Sequence, residues 1–281
     1  MLGIVEHDGG AALETSREML TLARRLAGDE GTVEAVALGT VAGGLGEELG
    51  ALGVSRLHVV EHELVDDYGP EAWAESVTQL VAKVSPDGVL ASGTDRGNEV
   101  MAHLAARTDL PMAANCTAIE PGDVWSLTRQ RWGGSLLEDA RLTAPVKLAT
   151  VSPHAVEAEV GEGARNVEVE TFAPALDPAL ARTRVVERTA RGEGITLTTA
   201  PVVVSGGRGV GSAEGFAVLE ELAELLGGAV GCSRVATNNA WRPHRDQVGQ
   251  TGARVAPDLY IACGISGATQ HIAGCKGAKK I

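Results

Sequence analysis

The sequence predicts an α/β protein of two domains, each a mainly parallel sheet flanked by helices, the second of them doubly wound. Short apolar runs that end in Gly or a charged residue alternate with segments of helical spacing, a pattern typical of βαβ units. The 281 residues are enough for two domains. Aromatic residues make up only 3% of the chain, while the small residues Ala, Val, Leu and Gly, which suit closely packed α/β layers, are abundant.

The first predicted domain covers residues 1–185. Its predicted strands are residues 2–7, 33–39, 56–61, 87–93 and 146–153. Its predicted helices are residues 12–27, 69–83 and 97–107. We expect Asp95 to cap the last of these helices, because a carboxylate there can accept from the free N–H groups of the first turn. The period-two alternation of residues 156–177 indicates one more strand, at an edge of the sheet.

The second predicted domain covers residues 201–281, after a polar and charged linker at 186–200. Its predicted strands are residues 201–207, 229–234 and 257–264. Its predicted helices are residues 211–228 and 266–276, with Ser212 and Ser266 as their N-caps. The last four residues, "AKKI", would open a fourth strand.

Charge and composition exclude several classes of function. The net charge of −13 argues against a nucleic-acid partner, since phosphate binding needs a basic surface. No apolar run approaches the ~20 residues needed to cross a bilayer, and the N-terminal residues meet a charge at Glu6, unlike a signal peptide. We therefore expect a cytoplasmic protein without membrane insertion. The four cysteines contain no C-x-x-C pair, so we expect buried, reduced thiols and no metal site.

Three strands of the second predicted domain end in segments that suit a bound ligand. The segments are "SGGRGVGS" (205–212), "CSR" (232–234) and "GISGATQH" (264–271). Ligands of open α/β sheets bind at the carboxyl ends of the strands, so these segments should meet at one edge. "GGRGVG" is neither G-x-G-x-x-G nor a Walker A sequence, and it fits either a phosphate loop or a tight turn.

Individual side chains in these segments have a functional and a structural interpretation. We expect Gly264 and Gly267 to let the backbone approach a ligand closely. His271 would face the ligand from the early helix, or be a hydrogen-bonded structural residue. Arg234 would place positive charge beside a ring that gains electrons, or pair with a surface carboxylate. The polar loop "QVGQTG" (247–252) offers amide and hydroxyl groups to the edge of a flat heteroaromatic ligand.

Taken together and in order, these segments resemble the C-terminal domain of the electron transfer flavoprotein alpha subunit. The resemblance covers "VVVSGGRGVGS", "GAVGCSR", "DQVGQTG" and "PDLYIACGISGATQHIAGCKGAKKI", and it extends more weakly to "GIVEHDGG" and "ASGTDRGNEVMAHLAAR" in the first domain. It implies that the second domain binds FAD. Family members continue past residue 281 with a strand and loops that hold the adenosine end, so we expect this domain to be incomplete at its C-terminal end.

The resemblance also implies which residues contact FAD. Arg208 would lie near the flavin and its phosphates, Arg234 against the isoalloxazine ring, the Thr251 hydroxyl near flavin N5, and His271, protonated or donating, near the pyrimidine carbonyl of the ring. The other implied cofactor-binding residues are Ser233, Gln247, Gln250, Ser266 and Gln270.

The function implied is that of an electron carrier rather than an enzyme with its own substrate. The family pairs the alpha subunit with a beta subunit, accepts electrons from flavin dehydrogenases and passes them toward a quinone oxidoreductase. The resemblance implies that the first domain packs on the beta subunit. Two alternatives stay open at this point: an electron-bifurcating flavoprotein subunit that uses NADH, and a non-redox nucleotide-binding module.

Overall fold

The computed structural model describes residues 1–8, 10–39, 45–161, 166–186 and 195–281. The chain divides into two compact units. The first contains the described residues up to 186 except Trp132–Ser135, which belong to the second unit together with residues 195–281. The part of the predicted linker at 187–194 lies outside the described residues.

A nine-stranded sheet forms the centre of the first unit in the described part of the chain. Its strands are β1 (Leu2–Val5), β2 (Glu34–Ala37), β3 (Arg56–Val60), β4 (Gly88–Ser92), β5 (Met112–Glu120), β6 (Trp125–Arg131), β7 (Leu136–Leu142), β8 (Lys147–Val151) and β9 (Glu168–Phe172). Their order across the sheet is β7-β6-β5-β8-β4-β1-β2-β3-β9. All neighbours are parallel except β5-β6 and β6-β7, which are antiparallel.

Helices cover both faces of this sheet. They are α1 (Glu14–Ala27), α2 (Leu45–Ala51), α3 (Pro70–Val84) and α4 (Asp95–Thr108). Met19 of α1 and Leu49 of α2 are buried in one hydrophobic cluster. Leu80 of α3 and Met101 of α4 are buried in a second cluster. Both faces of the parallel strands are therefore removed from water, which explains why these strands appear in the sequence as continuous apolar runs.

The five predicted strands and three predicted helices of the first unit are all present, and the edge strand predicted within 156–177 is β9. Residues 162–165 of that stretch lie outside the described residues. The sequence did not reveal α2 or the strands β5, β6 and β7. Strands such as "WSLTRQR" and "LLEDARL" lie toward the other edge and keep many side chains in water, so they lack a continuous apolar run. The predicted cap Asp95 is wrong: Oγ1 of Thr94 accepts from the N–H of Gly97 at 2.9 Å, and Asp95 is the first helical residue.

The second unit contains a smaller parallel sheet in the order β11-β10-β12. Its elements are β10 (Val202–Gly206), α5 (Phe216–Leu225), β11 (Ala229–Cys232), α6 (Arg234–Asn238), β12 (Leu259–Cys263) and α7 (Thr269–Cys275). Val204 packs with α5 in one hydrophobic cluster, and its neighbour Val203 packs with Cys275 of α7 in another. Successive residues of a strand face opposite sides, so the helices lie on both faces, as the predicted doubly wound fold requires.

Both helix caps predicted for this unit are wrong. Helix α5 begins at Phe216 after Gly215, and residues 213–217 form i→i+3 turns before it, while Ser212 Oγ accepts from the Gly215 N–H at 3.3 Å. Helix α7 begins at Thr269 after Ala268. The left-handed φ of 74° at Gly267 turns the backbone out of the helical path between Ser266 and α7, so Ser266 cannot cap this helix.

The segment "AKKI" forms no assigned strand, although the Lys280 carbonyl accepts from the N–H of Tyr260 on β12 at 2.9 Å. In the described part of the chain, every helix is too short or too polar to cross a bilayer, and no cluster of three His, Cys, Asp or Glu side chains could hold a metal. The cysteines are free thiols, and only Cys263 is partly exposed. The cytoplasmic location stays a prediction.

Candidate functional site

A cavity of about 490 Å³ lies at the carboxyl ends of β10, β11 and β12. Ten of the residues predicted to contact the ligand line it: Arg208, Ser233, Arg234, Gln247, Gln250, Thr251, Gly264, Ser266, Gln270 and His271. The other lining residues are Val235, Val248, Gly249, Ile265 and Ala268. The eleventh predicted residue, Gly267, is not among the lining residues. Segments that are up to 63 positions apart in the sequence thus meet at one edge of the sheet.

The loops after β10 and β12 pack against each other through bare backbone. The N–H groups of Gly207 and Gly209 donate to the carbonyls of Cys263 and Gly264, at 2.9 and 3.0 Å. A Cβ atom on Gly209 would lie 2.7 Å from the Cα atom of Gly264, closer than carbon atoms can approach. A Cβ atom on Gly264, which has a φ of 63°, would likewise lie 2.6 Å from the Cα atom of Gly209, so both glycines are required by the contact between the two loops. A Cβ on Gly267 would meet nothing within 4 Å, so that glycine serves the backbone conformation alone.

Fixed positive charge enters the cavity from two loops. Arg208 follows β10 and Arg234 follows β11, and both are exposed. Neither guanidinium forms an ion pair with any residue that the structure describes. Because the lining residues include no carboxylate, the cavity favours a ligand that carries negative charge.

Ser233 sits beside Arg234 at the start of α6. Its N–H donates to the Gly206 carbonyl at 2.9 Å, which ties the end of β11 to the end of β10. Its hydroxyl oxygen is buried and has no hydrogen-bond partner among the described residues. A buried polar group without a partner is rare in a folded protein, so this oxygen is a candidate ligand contact.

The loop from 247 to 252 is fastened on two sides. The N–H of Val248 donates to the Cys232 carbonyl at 2.8 Å, and the N–H of Gln250 donates to the Gln270 carbonyl at 2.7 Å. Gln247 is 2% exposed, and its side-chain amide forms hydrogen bonds with Thr237 and Thr251. The loop therefore presents Gln250 and Thr251 to the cavity from a rigid base.

His271 is 7% exposed, and its Nε2 lies 2.7 Å from the hydroxyl of Tyr260 on β12. Burial lowers the pKa of His271, so the imidazole is neutral at neutral pH. Burial raises the pKa of Tyr260, so its hydroxyl keeps its proton. When that hydroxyl donates to Nε2, the imidazole proton lies on Nδ1. The Val248 backbone lies near the ring, but Nδ1 forms no hydrogen bond of ordinary geometry with any described residue. Of the two expected forms of His271, the geometry favours the neutral donor over the protonated one.

The lining fits a flat, anionic heteroaromatic ligand. The volume lies within the roughly 300–1,000 Å³ range of ordinary ligand pockets. Two unpaired guanidiniums supply positive charge, and apolar residues such as Val248 and Ile265 supply surface for a ring. The buried atoms without partners, Ser233 Oγ and His271 Nδ1, supply directional contacts.

Two residues that support the site were not found from the sequence. Thr237 bonds Gln247, and Tyr260 bonds His271. Tyr260 sits within the apolar run "LYIAC", where an aromatic residue is ordinary core. Thr237 is a polar residue three positions after Arg234, and this position could have indicated a role at the site. Its partner Gln247 could not be predicted, because that contact depends on the path of the following loop.

Two family models match the chain. Residues 1–177 match the electron transfer flavoprotein domain, and residues 196–276 match the electron transfer flavoprotein FAD-binding domain. The electron transfer flavoprotein subunit alpha of Mycobacterium tuberculosis is 40% identical over 281 residues, which cover 100% of this chain and 87% of the relative. The protein of the same name from Bacillus subtilis is 36% identical over 267 residues, covering 94% and 81%. That from Thermoanaerobacterium thermosaccharolyticum is 33% identical over 283 residues, covering 98% and 85%.

Proposed function

The chain belongs to the electron transfer flavoprotein alpha subunit family, and from this premise we propose that it is the FAD-carrying subunit of an electron-carrier heterodimer with a beta subunit. When bound, the isoalloxazine ring of FAD takes up electrons from one protein and releases them to another. The observation that carries the proposal is the cavity at the carboxyl ends of β10, β11 and β12, where ten of the eleven predicted residues meet.

In this proposal Arg208 and Arg234 neutralise the negative charge of the cofactor. Arg208 starts the turn after β10, next to the loop of bare glycine backbone, and suits the phosphates. Arg234 starts α6 on the neighbouring loop and favours the negatively charged, reduced form of the ring. Because neither side chain is paired within the described residues, binding the cofactor breaks no ion pair there.

Directional contacts come from neutral groups. His271 offers its Nδ1–H, held by the Tyr260 hydroxyl behind it. Ser233 offers its buried hydroxyl. Gln250, Thr251 and Gln270 are exposed at the rim, where their amide and hydroxyl groups can contact the polar edge of the ring.

We propose that the electrons come from flavin dehydrogenases and pass to a quinone oxidoreductase. The side chains that line the cavity offer positive charge, hydrogen bonds and apolar surface, which suit binding a cofactor that carries electrons. Membership of the family favours this redox role over a non-redox nucleotide-binding module.

The proposal is tested by co-expressing the chain with its beta subunit. We expect a yellow heterodimer whose flavin absorbance bleaches when a flavin dehydrogenase and its substrate are added, and recovers when a quinone oxidoreductase and a quinone follow. A second reaction with NADH alone tests the bifurcating alternative, which predicts reduction without a dehydrogenase. A colourless heterodimer that takes up no added FAD would contradict the proposal.

A further inference from the structure

Thr237, Gln247 and Thr251 form a continuous hydrogen-bonded chain that ends at the cavity. Oγ1 of Thr237 lies 2.8 Å from Oε1 of Gln247. Nε2 of Gln247 lies 2.9 Å from Oγ1 of Thr251. Thr251 lines the cavity, whereas Thr237 is not among the lining residues. The three side chains thus connect α6 to the lining of the cavity.

We propose that Gln247 is a positioning residue that sets whether the Thr251 hydroxyl presents a proton or a lone pair to the ligand, with Thr237 as the second support of the same relay. The inference rests on the proposed function, because it takes the ligand to be FAD. It replaces the prediction that Gln247 contacts the cofactor itself.

The partners of Gln247 leave it little capacity for direct ligand contact. Gln247 is 2% exposed, and each end of its side-chain amide already has a threonine hydroxyl as partner. Its backbone is held as well: its N–H donates to the His244 carbonyl at 3.0 Å, and its carbonyl accepts from the Ala253 N–H at 2.7 Å. Turning this amide toward a ligand would break both of these hydrogen bonds.

In one arrangement of the relay, Thr251 is a donor to the ligand. Thr237 donates its hydroxyl proton to Oε1 of Gln247, and Nε2 of Gln247 donates to the oxygen of Thr251. The Thr251 proton is then free to point into the cavity.

In the second arrangement, the amide is turned by half a revolution and Thr251 is an acceptor. Nε2 of Gln247 now donates to Thr237, whose own proton goes to the Arg234 carbonyl, 2.9 Å from its oxygen. Thr251 donates to Oε1, so only its lone pairs face the cavity. In both arrangements each end of the amide has one hydrogen-bond partner, and no proton is gained or lost between them.

The position of Thr237 is what makes the second arrangement available. Its hydroxyl lies within hydrogen-bond distance of both the Arg234 carbonyl and Gln247, so it can donate to one and accept from the other. A flavin ring nitrogen accepts a hydrogen bond when oxidised and donates one after it gains a proton. A Thr251 hydroxyl of adjustable direction can contact either form, and the relay therefore affects the relative affinity for the two.

The test compares Thr237→Val with Thr237→Ser in the FAD-loaded heterodimer. Valine has the shape of threonine without its hydroxyl, while serine keeps the hydroxyl. We expect the valine variant to raise the dissociation constant for FAD about fivefold, the value of one hydrogen bond. We also expect it to change the ratio of affinities for reduced and oxidised FAD at least threefold, measured as a shift in reduction potential. The serine variant should stay within twofold of the wild type in both.

A Gln247→Met variant and the double variant Gln247→Met/Thr237→Val complete a double-mutant cycle with Thr237→Val and the wild type. Because both residues act through one relay, their effects on the reduction potential should be non-additive. If Gln247→Met does not assemble with the beta subunit, the comparison of Thr237→Val with Thr237→Ser is sufficient to test the inference. The inference is overturned if the valine variant keeps the wild-type potential, if valine and serine shift it equally, or if the two effects add. A wild type that binds no FAD would instead contradict the proposed function.

Discussion

The hydroxyl of Tyr260 lies 2.7 Å from Nε2 of His271, in the buried layer directly below the candidate cofactor cavity. This bond orients the imidazole, because a ring held at Nε2 has only Nδ1 left for a ligand. The same logic applies to Gln247 and Thr251 on the neighbouring loop. Under the proposed function, these supporting residues would orient the groups that contact the cofactor.

The first prediction concerns this bond. Tyr260→Phe removes the hydroxyl and frees the imidazole to rotate, so we expect FAD affinity to fall about fivefold, the value of one net hydrogen bond of about 1 kcal/mol. Titration of FAD into the deflavinated heterodimer, followed by flavin fluorescence, measures it. Tyr68→Phe is the matched control: its hydroxyl bonds Glu99 in the first unit and should leave FAD affinity unchanged. Equal FAD affinities of the two variants would show that the Tyr260 hydroxyl does not support FAD binding.

Arg234 should raise the reduction potential of bound FAD. Arg234→Ala takes positive charge away from the cavity, and we expect the potential to fall by on the order of 60 mV, which corresponds to a tenfold change in a one-electron equilibrium. A redox titration followed by visible absorbance measures it. Arg245→Ala changes an exposed arginine of the same unit that is not among the cavity lining, and should leave the potential unchanged. A potential unaffected by Arg234→Ala would rule out this electrostatic role.

Gly209 should be intolerant of a side chain. In Gly209→Ala the new Cβ would lie 2.7 Å from the Gly264 backbone, so the loops after β10 and β12 must separate, at a cost of about 1–3 kcal/mol. We expect FAD affinity to fall more than tenfold. Gly211→Ala, where φ is 90° but a Cβ meets nothing within 4 Å, adds backbone strain without pushing the loops apart. Comparable FAD affinities in the two variants would show that the contact between the loops does not shape the site.

The contact between the His154 ring, in the loop after β8, and Glu18 of α1 should weaken as the pH rises. The buried carboxylate of Glu18 lies 3.2 Å from Nδ1 of His154 and, with Glu14, holds the pKa of His154 above its ordinary value. The folded state therefore binds the proton more tightly than the unfolded state. This stabilisation is fully present below the ordinary histidine pKa near 6.5 and is lost as the pH rises through the raised value.

The measurement is the free energy of unfolding of the protein between pH 5.5 and 8.5. We expect a decrease of less than about 1 kcal/mol from this residue, since the ring is partly exposed. His154→Asn keeps a residue that tolerates the left-handed φ of 62° but cannot be charged, so it should flatten this part of the profile. A variant with the same pH dependence as the parent would exclude His154 as its source.

The sequence predicted the layered fold because its central strands are buried on both faces. "GVLAS" of β4 and "KLATV" of β8 are fully buried, and such runs are visible without a structure. Strand β7 is exposed or half-buried except at Leu142, and its antiparallel pairing with β6 joins consecutive strands of a hairpin. The prediction therefore succeeded at the centre of the sheet and failed at one edge.

Within the candidate site, position was easier to predict than role. Arg208, Arg234 and His271 could be placed at one edge of the sheet because each follows a strand end. The hydrogen bond between Gln247 and Thr237 could not be predicted from "QVGQTG", because Thr237 lies ten residues earlier and on another element. Hydrogen bonds between loops depend on the path of the backbone, which no local pattern of residues encodes.

Hydrogen–deuterium exchange of the heterodimer with and without FAD tests most directly whether the strand-end loops act as one cofactor site. We expect FAD to slow exchange together in the segments 206–211, 233–237, 247–253 and 264–271, which surround the cavity in the structure. Unchanged exchange in all four segments, with slowing confined to residues 1–161, would contradict the account.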